Sequence, residues 1–392
     1  VRAPFAGWLS DCNDVTRTFL AAGSIPDMIN LGGGLPEPET WPISEIASLA
    51  PRAFTEQPRD ALAYPPIEGL PSLRDLIAKR FSAPGLTLTR ENVLIVTGGM
   101  QALDLIGKVL LEPGQTVAAQ SPAYLGALDA WRPRLPRYNP MRLDTNADPG
   151  AAMRGAQFAY AVPNFSNPSG RLVPLTQRHA LLDAARETGA WLVEDDPYGT
   201  LHYDGTPLPR ILTLSQDPEG PVIYLGTLSK ELAPGLRVGW VIAAREMIAA
   251  LALAKQGSDM CTPGLSQVIT REAFATGLVD HILPATLDLY RQRRDVLLAA
   301  MDAHLDHAFT WDVPCGGMFV WARVRDPRLD TDELLTEGLK HGICVSPSSV
   351  FDPEGQDRGG VRLNFTLNAP ERLEEGIRRL ARAVDALMRR AA

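Results

Sequence analysis

Val93-Leu94-Ile95-Val96-Thr97-Gly98-Gly99-Met100-Gln101-Ala102-Leu103-Asp104-Leu105-Ile106-Gly107-Lys108-Val109-Leu110-Leu111 joins two periodicities. Val93–Val96 is an unbroken apolar run, the pattern of a strand buried on both faces. From Met100 to Leu111 the apolar residues Leu103, Ile106 and Leu110 recur at helical spacing. A helix therefore starts where a glycine-rich strand end stops, which is a place for an anion. Downstream the pattern repeats, with apolar runs Thr116–Ala119, Phe158–Val162, Trp191–Val193, Val222–Leu225 and Val238–Ile242 separated by amphipathic stretches. Strands alternating with helices between about 92 and 245 predict an α/β fold with a mostly parallel sheet sandwiched by helices.

Past this region the pattern changes. A long charged helix containing Tyr290-Arg291-Gln292-Arg293-Arg294 leads to a turn and strand at Cys315-Gly316-Gly317-Met318-Phe319-Val320-Trp321. The chain then ends in an amphipathic helix from Pro370 to about Met388, apolar at Leu373, Ile377, Leu380, Val384 and Leu387. A second, smaller α+β domain is expected, made from residues 1–45 and 290–392, beside a large domain of residues 46–289.

Composition narrows the function classes. The 392 residues are 45% hydrophobic and 21% charged, an ordinary globular balance, and the formal net charge of −8 with no basic stripe argues against a nucleic-acid partner. Cys12, Cys261, Cys315 and Cys344 are far apart and form no CxxC pair, so neither a metal site nor a disulfide scaffold is expected. Asp11, Asp14 and Arg17 interrupt any apolar run near the start, and Arg245 and Glu246 break the stretch after Trp240. The expectation is a cytoplasmic protein with no membrane span.

Four segments carry chemistry. Gly226-Thr227-Leu228-Ser229-Lys230-Glu231-Leu232-Ala233-Pro234-Gly235-Leu236-Arg237 follows a strand directly. A lone loop lysine is usually solvated, but here two hydroxyl residues and an arginine flank Lys230. Such a lysine can form an imine with an aldehyde while Thr227, Ser229 and Arg237 hold a phosphate.

In Trp191-Leu192-Val193-Glu194-Asp195-Asp196-Pro197-Tyr198 an apolar strand runs into three acids and a tyrosine. Asp195 at a strand's carboxyl end suits a protonated ring nitrogen, and Tyr198 suits a phenolic oxygen. Asp196 followed by Pro197 also reads as a helix N-cap.

Pro163-Asn164-Phe165-Ser166-Asn167-Pro168-Ser169-Gly170 offers the Asn167 amide to the same oxygen, although Asn-Pro alone is only a turn signal. Val361-Arg362-Leu363-Asn364-Phe365 sets Arg362 and Asn364 on one strand face, and the Arg362 fork matches a carboxylate bidentately. A surface strand arginine has the same spacing.

In this order and over these distances the four segments resemble the fold-type I pyridoxal-phosphate enzymes, specifically the class I and II aminotransferases. Leu31-Gly32-Gly33-Gly34-Leu35-Pro36, Tyr64-Pro65-Pro66-Ile67-Glu68-Gly69-Leu70-Pro71-Ser72-Leu73-Arg74 and Ser121-Pro122-Ala123-Tyr124-Leu125-Gly126-Ala127 are most similar to the 2-aminoadipate and aromatic aminotransferase branch, which includes the aminotransferase-like half of MocR-type regulators. The resemblance implies pyridoxal 5′-phosphate as cofactor, Lys230 as the Schiff-base lysine and Asp195 as partner of the ring nitrogen. It also implies Asn167 and Tyr198 as partners of the ring oxygen, and Tyr124 stacked on the ring. Gly99, Met100, Gln101, Thr227, Ser229 and Arg237 would surround the phosphate, and Tyr64 would reach the phosphate of a neighbouring subunit in a homodimer. Arg362, Asn167 and Gly34 would bind the substrate's α-carboxylate region. Many relatives carry a serine and a polar residue where Gly99 and Met100 stand, so one hydroxyl contact is missing.

The implied reaction moves an amino group between an L-amino acid and a 2-oxo acid by ping-pong kinetics. In this branch an arginine placed as Arg17 is, in Asp14-Val15-Thr16-Arg17-Thr18-Phe19-Leu20, can meet an acidic side chain. Glutamate or 2-aminoadipate is then the expected donor, with aromatic or branched donors next, although an exposed helix arginine reads the same way. Two other readings stay open. One is a lyase or decarboxylase on the same fold, since fold does not decide the reaction. The other is a ligand-sensing domain of the MocR type, which a helix-turn-helix domain would precede, whereas about 30 residues stand before Gly32 here.

Overall fold

The computed structural model describes residues 4–12, 14–143 and 147–391. Its centre is a seven-stranded sheet of β1 (Val93–Val96), β2 (Thr116–Gln120), β3 (Arg137–Met141), β4 (Phe158–Ala161), β5 (Trp191–Asp195), β6 (Val222–Thr227) and β7 (Gly239–Ile242). Across the sheet the order is β1-β7-β6-β5-β4-β2-β3. Every pairing is parallel except those of β7, which runs against both β1 and β6. β1, β4, β6 and β7 are buried along their whole length, as expected of strands covered on both faces.

β3 breaks the expected pattern. Its sequence Arg137-Tyr138-Asn139-Pro140-Met141 is mostly polar and contains a proline, so it has no apolar run to signal it. It occupies the sheet edge, where a missing N–H costs no ladder bond. The antiparallel course of β7 was equally invisible, because burial dictates its composition and direction does not.

The functional end of the sheet is where β1, β5 and β6 finish. Val96 at the end of β1 and Thr227 at the end of β6 both lie opposite Gly239 at the start of β7. A Cβ on Gly239 would stand 2.9 Å from the Gly226 carbonyl oxygen, so only glycine lets the three strands meet this closely. α1 (Val15–Ala22) precedes the sheet in sequence, and α2 (Gly99–Leu110) leaves β1 through Gly98, whose φ of +82° turns the chain into the first helical turn. The helix thus starts one residue before the expected Met100.

A four-stranded antiparallel sheet forms a second layer system from β8 (Phe309–Trp311), β9 (Phe319–Val324), β10 (Ser346–Pro347) and β11 (Gly360–Asn364), ordered β10-β11-β9-β8. Ile29–Asn30 pairs in parallel with Ile343–Cys344, which ties the N-terminal segment to the C-terminal region. α3 (Arg245–Gln256), α4 (Leu278–His304) and α5 (Pro370–Ala391) complete the elements used below. The segment from Leu31 to Pro36 is held from two sides. Asn30 Oδ1 accepts from the amides of Gly32 and Gly33 at 3.0 Å, and Tyr290 Oη on α4 accepts from the Glu37 amide at 3.1 Å.

Candidate active site

A cavity of about 290 Å³ opens where the carboxyl ends of the large sheet face the loop from Leu31 to Pro36 and strand β11. Lys230, Asp195, Tyr198, Asn167, Arg362, Tyr124, Thr227, Ser229, Arg237, Gly99, Met100 and Gly34 line it together. Between Gly34 and Arg362 these residues span most of the chain, and the fold brings them within one small volume.

Lys230 follows β6, and its Nζ donates to the Gly34 carbonyl oxygen at 2.7 Å. Burial, with the nearby charges of Arg362 and Arg237 adding to it, lowers its pKa to about 8. An amine that sheds its proton near neutral pH is a competent nucleophile toward a carbonyl carbon. Asp195 ends β5 and accepts from the Tyr160 hydroxyl at 2.7 Å on Oδ2. Burial raises its pKa to about 7, against the opposing pull of the Tyr160 hydrogen bond. A buried carboxylate without a cation is under strain of this kind, and a protonated ring nitrogen in the cavity would relieve it.

Arg362 is 2% exposed, its guanidinium lying 4.4 Å from the Phe319 ring centroid and 4.8 Å from that of Phe351. Nη1 donates to Asn167 Oδ1 at 2.6 Å, Nη2 to the Gly32 carbonyl and to Ser346 Oγ, and Nε has no partner. Burial pulls its pKa down to about 10, still well above neutrality. A buried cation with an orphaned N–H invites an anion. Asn167 Nδ2 lies 3.5 Å from the Tyr198 hydroxyl, whose pKa burial raises. Tyr124 stands just before a short helix with its hydroxyl 3.6 Å from Met100 Sδ, and burial pushes it up to about 12.

On the opposite side lies an anion cradle. Arg237 adopts a left-handed conformation (φ 52°) and lies against Gly98, where a Cβ would come within 2.3 Å of its Nη2. Thr227 Oγ1 and Ser229 Oγ are 2.9 Å apart, and the helix that starts at Gly99 presents free amides beside them. Cradle, lysine, carboxylate and buried arginine together fit a phosphorylated, aldehyde-bearing, ring-nitrogen cofactor with a carboxylate substrate beside it.

Two expected contacts fall elsewhere, and a third concerns a neighbouring subunit. Gln101 does not line the cavity; its Oε1 accepts from the Thr97 amide at 2.8 Å and closes the turn behind the cradle. Tyr64, expected at the phosphate of a neighbouring subunit, is 83% exposed and stands outside the cavity of its own chain. The Arg17 side chain is 85% exposed beside Asp14 at 3.7 Å, and its neighbours Thr16, Phe19 and Leu20 line the cavity instead. Asp196 caps no helix either. The residues after it form a turn, and its carboxylate accepts from Asn164 Nδ2 at 2.7 Å, Tyr224 Oη at 3.0 Å and Arg210 Nε at 3.1 Å.

Tyr160, Ser346 and Phe319, which hold Asp195 and Arg362, were not visible in the sequence, because Tyr160 and Phe319 sit in apolar strands and Ser346 in a two-residue strand with no pattern to mark it. A larger cleft of about 1060 Å³ lies elsewhere and contains none of the expected site residues. Its Arg171 pairs with Asp312, and its Arg323 with Asp357.

Comparison with known proteins agrees with this geometry. Residues 26–380 match the family model described as aminotransferase class I and II. The chain is 34% identical to aromatic-amino-acid aminotransferase 1 of Thermococcus litoralis, over 95% of this chain and 92% of that protein. It is 35% identical to the 2-aminoadipate transaminase of Thermus thermophilus, over 95% of this chain and 94% of that protein. Among solved structures it superposes on LysN, an α-aminoadipate aminotransferase from Thermus thermophilus complexed with N-(5′-phosphopyridoxyl)-L-leucine, with a TM-score of 0.89, 34% identity and 98% of each chain covered.

Proposed function

The chain belongs to the class I and II aminotransferases, and we propose that it moves the amino group of an apolar or aromatic L-amino acid to a 2-oxo acid from the cavity around Lys230. The convergence of Lys230, Asp195 and Arg362 on that one cavity carries the reading. Pyridoxal 5′-phosphate is the cofactor of this family, and when bound it supplies an aldehyde for the amine and an electron-withdrawing ring that stabilises charge developing at the substrate's Cα.

The chain's own residues do the rest. The cradle of Gly99, Met100, Thr227, Ser229 and Arg237 would hold the phosphate, Asp195 would keep the ring nitrogen protonated, Asn167 and Tyr198 would donate to the ring oxygen, and Tyr124 would cover the ring face. Lys230 Nζ, at the end of the loop after β6, would hold the cofactor through its aldehyde. With its pKa lowered to about 8, the Lys230 amine is suited to take up and return the proton at the substrate's Cα. Arg362 clamps the substrate's α-carboxylate and so aims the Cα–H bond at Lys230.

The preference for apolar donors rests on the remaining wall. Phe19, Leu20, Leu35, Leu103 and Leu125 form most of it beside Thr16, and the Arg17 side chain is 85% exposed. Glutamate and 2-aminoadipate rank below aromatic and branched donors on this ground, because an acidic side chain there would lose its hydration without a counter-charge.

A homodimer with shared sites is the assembly this reading favours. Leu62 and Tyr64, at and just past the end of the helix Pro58–Leu62, are largely exposed, as is Met260, and a second copy would cover them and bring its Tyr64 to the cradle. Among the described residues no helix is long and apolar enough to cross a membrane, and a cytoplasmic location is the setting we assign.

The test is the absorption spectrum of protein loaded with pyridoxal 5′-phosphate as leucine, phenylalanine, tyrosine, glutamate and 2-aminoadipate are added one at a time. Conversion to the amine form of the cofactor, reversed by a 2-oxo acid, establishes transamination, and the fastest donor identifies the class. Binding of cofactor without conversion by any donor moves a lyase reading ahead.

A further inference from the structure

Behind the anion cradle lies an ion pair that the reaction described above does not use. Lys255, in the last turn of α3, is fully buried, and its Nζ donates to Asp259 Oδ1 at 2.5 Å. The chain reverses sharply after α3, with Met260 in a left-handed conformation (φ 65°), and this turn folds Asp259 back toward β1. There Asp259 Oδ2 accepts from Thr97 Oγ1 at 2.7 Å, and the nearby Gln101 side-chain amide helps to hold the carboxyl's pKa down. Thr97 Oγ1 is 3.1 Å from Thr262 Oγ1, and Gln101 Oε1 takes the Thr97 amide. Thr97 and Gln101 bracket Gly98, Gly99 and Met100 and are bonded to each other, so the carboxylate anchors the cradle's turn through Thr97.

Lys255 is fully buried while Asp259 is partly open to solvent, and a pair of this kind seldom adds net stability, because desolvating the ammonium offsets the attraction. Its placement suggests a different role. A carboxylate that anchors an anion-binding turn would repel the anion it helps to bind, unless a cation at its back cancels the charge. Lys255 is that cation.

Resting on the cofactor reading above, we infer that Asp259 and Lys255 are positioning residues for the cofactor's phosphate: Asp259 sets the geometry of the Thr97–Gln101 turn, and Lys255 neutralises Asp259 so that the turn can accept a dianion. The two residues touch neither the ring nor the substrate, and their effect is confined to the phosphate.

The experiment measures the affinity of cofactor-free protein for pyridoxal 5′-phosphate and for unphosphorylated pyridoxal, by quenching of tryptophan fluorescence, in wild type, Lys255→Met and the double variant Lys255→Met/Asp259→Asn. Lys255→Met is expected to weaken the phosphorylated compound about tenfold or more, while pyridoxal binding shifts by less than about twofold. The double variant, neutral and with an amide oxygen still available to Thr97, is expected to recover most of that loss. Thermal melts verify folding, and if Lys255→Met alone does not fold, the double variant decides, with phosphate-ester affinity within about threefold of wild type expected.

An equal loss for both compounds, no loss in Lys255→Met, or no recovery in the double variant overturns the inference. Wild-type protein that binds neither compound overturns the cofactor reading and this inference with it. Wild-type binding without the selectivity overturns this inference alone.

Discussion

Arg362 Nη1 donates to Asn167 Oδ1 at 2.6 Å, joining residues 195 positions apart in sequence. The bond aligns the guanidinium with the amide that also meets Tyr198, so one strand arginine is coupled to the two residues proposed to meet the ring oxygen. Arg362→Lys removes the fork and keeps the charge. It is expected to lower kcat/KM for the amino donor on the order of 10²-fold, with pyridoxal 5′-phosphate affinity little changed. Steady-state kinetics beside a cofactor titration check this, and a loss below about threefold would count against the carboxylate clamp.

Lys230→Ala is expected to lower kcat by about 10⁴-fold or more while the melting profile is retained, since nucleophile and proton carrier go together. In wild type, borohydride trapping of the lysine with pyridoxal 5′-phosphate should grow as pH rises through about 8, where the buried amine loses its proton. Trapping that begins only near pH 10 would show an ordinary solvated lysine.

Without cofactor, the buried carboxyl of Asp195 is pushed up to about 7 from the ordinary value near 4, and burial raises Glu194 and Glu231 to about 7 as well. Between about pH 4 and 7 the folded chain therefore keeps protons that the unfolded chain has released, so its stability falls as pH rises through that window. Thermal midpoints of cofactor-free protein should drop from pH 4.5 to pH 7, and Asp195→Asn should make the slope shallower. A midpoint that rises monotonically over this range would show the three carboxyls to be ionised in the fold.

Arg17→Ala is expected to leave kcat/KM for phenylalanine and leucine within about twofold, because the side chain points into solvent and an exposed pair with Asp14 contributes little. Leu20→Asp, on the cavity wall, should depress the same donors by about tenfold. A selective loss of 2-aminoadipate or glutamate turnover in Arg17→Ala, with apolar donors unaffected, would restore Arg17 as the acidic-donor contact.

What the sequence by itself determined is local. The apolar runs of β1, β4 and β6 and the glycines at the start of α2 follow from composition and spacing, as does the placing of Lys230 and Asp195 at strand ends, because buried parallel strands must be apolar and a chain can enter a helix at Gly98 only through a conformation that glycine tolerates. The family resemblance rests on those same segments.

The tertiary structure decided what depends on packing at a distance. No spacing announces that Tyr160, inside a buried strand, would donate to Asp195, or that Ser346 and Phe319 would hold Arg362. Nor could the sequence say which face of α1 meets the cavity: Arg17 and Leu20 lie three residues apart, yet Leu20 lines the cavity and Arg17 faces water. The polar strand β3 formed because a neighbour's edge offered hydrogen bonds, and Asp259 reached Thr97 across 162 residues because one turn reversed the chain after α3. Hydrogen bonds between distant segments depend on how the layers dock, and that information resides in three dimensions.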